Sequence, residues 1–204
     1  MKIDVHHLLS DLLPTESHSC SYLQSISDAS SSIILPNWLC NEVEYEEFDA
    51  SRFTNLESLQ IGDNSFTYTT KFEIIGSNKL VSLKVGRDSF TRVKDEPNIS
   101  ILFSGRYFSV INCEKLESIE IGEYSFHDYG DEFQLSNLPL LHTLQIGVVE
   151  MRSSNFVSAN FEVISRQNVL LSFLDLPSLK VINLGESSFR ITPKIIIESS
   201  TVIK

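Results

Sequence analysis

The sequence predicts a mainly β chain wound as a solenoid, with two short strands per coil and a short helix near its start. Three observations predict it. The stretch Leu56-Glu57-Ser58-Leu59-Gln60-Ile61-Gly62-Asp63-Asn64-Ser65-Phe66 returns, beginning at Leu80, Leu116, Leu141 and Leu179. Inside it, Leu59 and Ile61 alternate with Ser58, Gln60 and Gly62, the period-two pattern of a half-buried strand. A second apolar segment stands eight positions upstream of each copy: Phe48-Asp49-Ala50, Phe72-Glu73-Ile74, Phe108-Ser109-Val110, Phe133-Gln134-Leu135 and Leu171-Ser172-Phe173. Self-similarity at a near-fixed period is the mark of a repeat architecture. The constant offset puts two extended segments in every coil, joined by turns such as Ser136-Asn137-Leu138-Pro139.

Residues 1–32 read as an N-terminal helix and a serine-rich lead-in. Val5, Leu8, Leu9, Leu12 and Leu13 share one helical face, and Pro14 ends the pattern. His6, His7, Ser10 and Asp11 interrupt the apolar run, so it is not a signal-peptide core. The helix is expected to cover the first coil, because the end of a repeat array exposes apolar surface. Thr15 to Ser32 reads as loop. Residues 33–204 are the repeat array, about five coils with the last incomplete.

Successive copies are 24, 36, 25 and 38 residues apart. The extra residues fall at 94–106 and, directly after Gly147, at 148–169. Their apolar stretches, 99–103 and 161–164, are expected to add extended segments. Gly62, Gly86, Gly122, Gly147 and Gly185 are expected to ease the turn after the strand through their backbone freedom. Ile195-Ile196-Ile197 matches the upstream segment of a further coil. Ile203 falls where the next Leu80 equivalent would stand, so that coil is half built and self-association through this edge is expected.

Composition excludes several function classes. The net charge of −11 argues against nucleic acid and against an anionic membrane surface, which need clustered Lys and Arg. Glu42, Glu44, Glu46, Glu47 and Asp49 lack calcium-loop spacing and read as a solvated acidic face. Cys20, Cys40 and Cys113 are odd in number and widely spaced, so a disulfide framework or zinc site is not expected, and reduced intracellular thiols are the default. Cys113 reads as a small buried residue. No metalloprotease, nucleophile-elbow, phosphate-loop or dinucleotide fingerprint occurs, and no cofactor or catalytic residue is expected.

The register L-x-x-[LI]-x-[IVL]-G-x-x-S-F resembles the leucine-rich repeat. Leu56, Leu59 and Ile61 match its strand leucines, Asn64 its asparagine, and Phe66 its last apolar position. With I-G-x-x-[AS]-F after the strand, the chain is similar to the BspA-like subclass abundant in anaerobic protists, over about Ile33 to Ile197. The asparagine column departs from the pattern, holding Asn64, Asp88, Tyr124 and Ser187. The resemblance implies a right-handed solenoid that binds or adheres to another protein, and no catalytic residues. The surface it implies is the strand face carrying Glu57, Gln60, Lys84, Glu117, Glu120, His142, Gln145, Lys180 and Asn183. The alternatives are a structural array within a larger protein, or an enzyme.

Overall fold

A computed structural model of the chain describes residues 19–92, 105–156, 170–174, 176–189 and 195–198. The N-terminal helix expected over residues 1–14, the stretches 99–103 and 161–164, and Ile203 lie outside them.

Short apolar-alternating segments separated by turn residues form strands, and here they form them in pairs. The strands are β1 (Ser32–Leu35), β2 (Glu47–Asp49), β3 (Ser58–Ile61), β4 (Lys71–Ile75), β5 (Ser82–Val85) and β6 (Tyr107–Ile111). They continue as β7 (Ser118–Ile121), β8 (Glu132–Ser136), β9 (Thr143–Ile146), β10 (Leu170–Leu174), β11 (Val181–Leu184) and β12 (Ile195–Glu198). The odd strands form one six-stranded sheet and the even strands another, in the orders β1-β3-β5-β7-β9-β11 and β12-β10-β8-β6-β4-β2. All neighbours pair parallel. The expected mainly β fold is therefore present, with its strands parallel in two sheets, and the expected Ile195 segment is a strand. Ile33 and Leu35 of β1 pair with Leu59 and Ile61, one repeat before Leu56.

Among the described residues, the inward side chains of β1 to β9 meet in one core. Its centre is two columns of phenylalanine rings. Phe66, Phe90, Phe126, Phe156 and Phe189 stack in one column, with centroids 4.7–5.2 Å apart. Phe48, Phe72, Phe108 and Phe133 stack in the other, 4.9–5.0 Å apart. The columns meet edge to face, as between Phe72 and Phe90 at 5.1 Å and 84°. Both geometries are favoured by the ring quadrupole.

Phe156 corrects the expected insertion. Copy four carries five extra residues, 148–152, between Gly147 and its Ser-Phe equivalent, and Asn155-Phe156 then rejoins the column. The insertion does not begin a run to residue 169 outside the repeat.

The turn after each odd strand has a fixed form. Asn64 and Phe66, Asp88 and Phe90, Tyr124 and Phe126, Ser154 and Phe156, and Ser187 and Phe189 all have positive φ, between 45° and 67°. Trp38 and Cys40 do the same in the first repeat. The degraded asparagine column is thus a left-handed position, which Asn and Asp tolerate best. The serine between is a ladder rung. The Leu39 N–H donates to Ser65 Oγ at 3.0 Å, that of Ser65 to Ser89 Oγ at 3.1 Å, and that of Ser89 to Ser125 Oγ at 3.0 Å. The hydroxyls of Ser65, Ser89 and Ser125 donate in turn to the carbonyls of Pro36, Gly62 and Gly86. Buried turn groups are satisfied from repeat to repeat, as buried backbone requires. Asn155 stands in for serine, its amide donating to Gly122 O at 2.7 Å and Ser125 O at 2.9 Å.

The glycine before this turn is explained by proximity, not by backbone angles. Gly122 has no positive φ, but a Cβ there would lie 2.7 Å from Gly86 C and 2.8 Å from Arg87 N. Successive turns pack backbone on backbone, and no side chain fits between them. Gly147 alone of the five has the positive φ expected, at 74°.

The lead-in is structured where it is described. A five-residue helix, α1 (Ser21–Ser25), lies in it, Leu23 and Ile26 pack on the core, and Cys20 is bonded to Cys40 in a disulfide. Within the loop expected over Thr15 to Ser32, whose residues 15–18 lie outside the described ones, this corrects Ser21 to Ser25, and it corrects the reduced state of these thiols. Spacing of twenty residues gave no sign of the pair. It forms because Cys40 takes the phenylalanine position of the first repeat, where the small side chain leaves room for Cys20. Cys113 is free and buried as expected, and burial pushes its thiol up to about 11.

The register can be tested. On β5 Leu83 and Val85 are buried, Ser82 is half-buried and Lys84 is exposed. Leu83→Ala is expected to cost about 2–5 kcal/mol and Lys84→Ala no more than about 0.5. Urea unfolding measures both, and equal losses would mean that the faces are reversed.

Candidate binding face

The outward face of the odd-stranded sheet is built by period-two alternation. With Leu59, Leu83, Ile119 and Leu144 turned inward and fully buried, their neighbours must point to solvent. The parallel register then aligns equivalent residues. Gln60 pairs with Lys84, Lys84 with Glu120, Glu120 with Gln145, and Gln145 with Asn183. Ser58, Ser82, Ser118, Thr143 and Val181 align beside them. Glu57, Val81, Glu117, His142 and Lys180 form the third column, held by backbone bonds from each N–H to the carbonyl one repeat before. All nine residues expected on this face are brought together on it, exposed or half-buried.

Sequence reading missed two parts of the surface. Ile34, 65% exposed, heads the Gln60 column on β1. Its signal was available, since Ile33-Ile34-Leu35 repeats the Leu59-Gln60-Ile61 spacing. The second part is the 148–152 insertion, whose Val149 and Met151 are exposed. It is anchored to the next repeat by Glu186 N–H donating to Met151 O at 3.0 Å and Ser153 N–H to Glu186 O at 2.9 Å. Nothing in local sequence distinguishes it from the residues that follow.

The face mixes charges. Lys84 Nζ lies 3.2 Å from Glu120 Oε2, and His142 Nε2 lies 3.7 Å from Glu117 Oε2. Both pairs are open to water, so each contributes about 0–1 kcal/mol at most. His142 Nδ1 is 2.9 Å from Thr143 Oγ1. Ser82 Oγ–H donates to Ser58 Oγ at 3.0 Å, so part of the serine column bonds to itself. Cross-strand pairs of this kind order side chains on a sheet.

The even-stranded sheet presents a different face. Glu47, Asp49, Glu73 and Glu132 give it acidic character, relieved by Lys71 at 3.0 Å from Glu73. Partial burial, with Glu73 beside it, raises the Glu132 carboxyl above its ordinary range. Among the described residues, no three His, Cys, Asp or Glu are grouped to hold a metal ion. No described helix is long and apolar enough to cross a membrane.

By fold and surface, then, this is a mainly β protein with parallel strands in two sheets and registered columns of polar side chains. No protein-family model, no curated protein and no solved structure matches the chain.

Proposed function

We propose that the chain is a right-handed solenoid of leucine-rich-repeat, BspA-like type, and that it binds a partner protein through the outward face of its odd-stranded sheet. The observation that carries this reading is the register of that face. Five strands deep, Gln60, Lys84, Glu120, Gln145 and Asn183 stand side by side in one column on paired strands. At the usual strand spacing, six strands offer a surface roughly 24 Å across. A sheet built on a packed aromatic core moves little, so a partner meets side chains already in place, which lowers the entropic cost of binding.

The repeat motif supports the solenoid reading through its period and its alternation between two sheets. The mixed charge of the face favours a partner with its own pattern of both signs, read by position as well as by net charge.

The test is comparative capture. The intact chain is used as bait beside a variant carrying Gln60→Arg, Glu120→Arg and Gln145→Arg, and a control carrying Glu73→Arg and Gln134→Arg on the other sheet. All five side chains are solvent-facing, so both variants are expected to unfold at the urea midpoint of the parent. A partner retained by parent and control and lost by the face variant is the expected result. A partner retained equally by all three, or none retained by the parent, rejects the reading.

A further inference from the structure

We propose that the Cys20–Cys40 disulfide is a redox-operated lock on the N-terminal end of the core. The bridge joins the segment before β1 to the first repeat across twenty residues. That segment covers the core at the β1 end. Ile33, Leu35 and Leu39 are only 0–2% exposed, whereas Ile182 and Leu184, at inward positions of the last odd strand, are 40% and 43% exposed. β1 and β11 are both outermost strands of their sheet. The end beside β1 is covered, with Leu23 and Ile26 of the segment packed on the core.

What holds the segment apart from the bridge is slight. Helix α1 has five residues, none of them buried, and no side-chain cap. A helix of that length does not stand alone in water. Its tethers are Gln24 Nε2–H donating to Tyr45 Oη at 2.9 Å, Arg52 Nη2–H donating to Leu23 O at 2.6 Å, and an exposed ion pair of Arg52 with Asp28. The Cys20 N–H donates to Glu42 Oε1 at 3.3 Å. Both cysteines are fully buried, so a reductant reaches the sulfurs only when this weakly held segment opens. Local openings of that kind are the least costly in a fold.

The step is thiol–disulfide exchange with a dithiol. One thiolate of the reductant attacks a sulfur of the bridge, forming a mixed disulfide. Its second thiol closes on the first, leaving as a cyclic disulfide. Cys20 and Cys40 gain two electrons and two protons and become thiols, and the reductant loses the same. Without the bond, the entropy of the free segment opposes its docking, and Ile33, Leu35 and Leu39 become exposed.

The experiment is hydrogen exchange on the full chain with and without dithiothreitol, with thiol counting by alkylation after unfolding. Without reductant, one alkylated cysteine is expected, Cys113, and after reduction three. Exchange of residues 19–31 is expected to quicken on the order of a hundredfold on reduction, as a loop constraint of this length implies, while β5 and β7 stay protected. Cys20→Ser without reductant is expected to exchange as the reduced parent does. The proposal is overturned by three reactive thiols before reduction. It is equally overturned by unchanged exchange of 19–31 in the reduced parent, or in Cys20→Ser.

Discussion

Phe126→Ala is expected to cost about 3–5 kcal/mol, among the largest losses available from a single core truncation. The ring is fully buried. It stacks on Phe90 at 4.7 Å and on Phe156 at 5.2 Å, within its own column. It meets Phe72, Phe108 and Tyr129 edge to face at 5.5, 5.0 and 4.9 Å. Truncation therefore opens a void with rings on every side. Those rings are fixed by backbone spacing from repeat to repeat and cannot collapse into it, which is the condition under which a cavity costs most. Phe126 also has φ 56°, a strain that alanine would keep without the packing that offsets it. Urea unfolding is the measurement. A loss under about 1 kcal/mol, within the range of an ordinary surface change, would show that the columns do not carry the core.

Asp128→Ala is expected to be comparably costly, about 3–5 kcal/mol, for an electrostatic reason. Arg106 Nη1 lies 3.0 Å from Asp128 Oδ1, with the side chains 1% and 0% exposed. The second carboxylate oxygen accepts the Arg92 N–H at 3.3 Å. Burial is the largest influence on both groups: it pushes the Asp128 carboxyl up and draws Arg106 down, while their mutual attraction opposes each shift. Beside them, Tyr129 packs its ring under the guanidinium at 5.4 Å and donates its hydroxyl to Thr69 O at 2.8 Å. Removing the carboxylate takes from the buried guanidinium the charged group 3.0 Å from it. Removing both charges together does not, so Arg106→Met with Asp128→Leu is expected to recover most of the loss. A double variant no more stable than Asp128→Ala would mean that the cost lies in packing, not in the stranded charge.

Much of the architecture was legible in the residues because side-chain direction in a strand has a period of two. Leu59-Gln60-Ile61 and Phe72-Glu73-Ile74 could each be assigned an inward and an outward side without reference to any partner. The eight-residue offset between them placed both in one repeat, and the repeat aligned Gln60 with Lys84 and Glu120. The face columns follow from that alignment alone. Whether those columns meet a partner does not follow from it, since period and alternation serve packing whatever the surface does.

The turns were less legible. The alternation of Asn64, Asp88, Tyr124 and Ser187 looks like loss of a pattern, yet all four share one backbone conformation. Serine in the Ser-Phe pair looks like a surface residue and is a buried rung, because its partners are a carbonyl and an N–H one repeat away.

The strands and their inward faces were thus readable from residues within a dozen positions of one another, and their register from the alignment of one repeat on the next. Only the tertiary structure decided the rest. Cys20 meets Cys40 because the first repeat has a small side chain where later repeats have phenylalanine. Phe156 returns to its column after five extra residues because Phe126 and Phe189 hold the place open on either side. Gly122 is glycine because Gly86 and Arg87, more than thirty residues earlier, run directly against it. In each case the deciding atoms come from another turn of the chain, and their approach is a property of packing that no local pattern encodes.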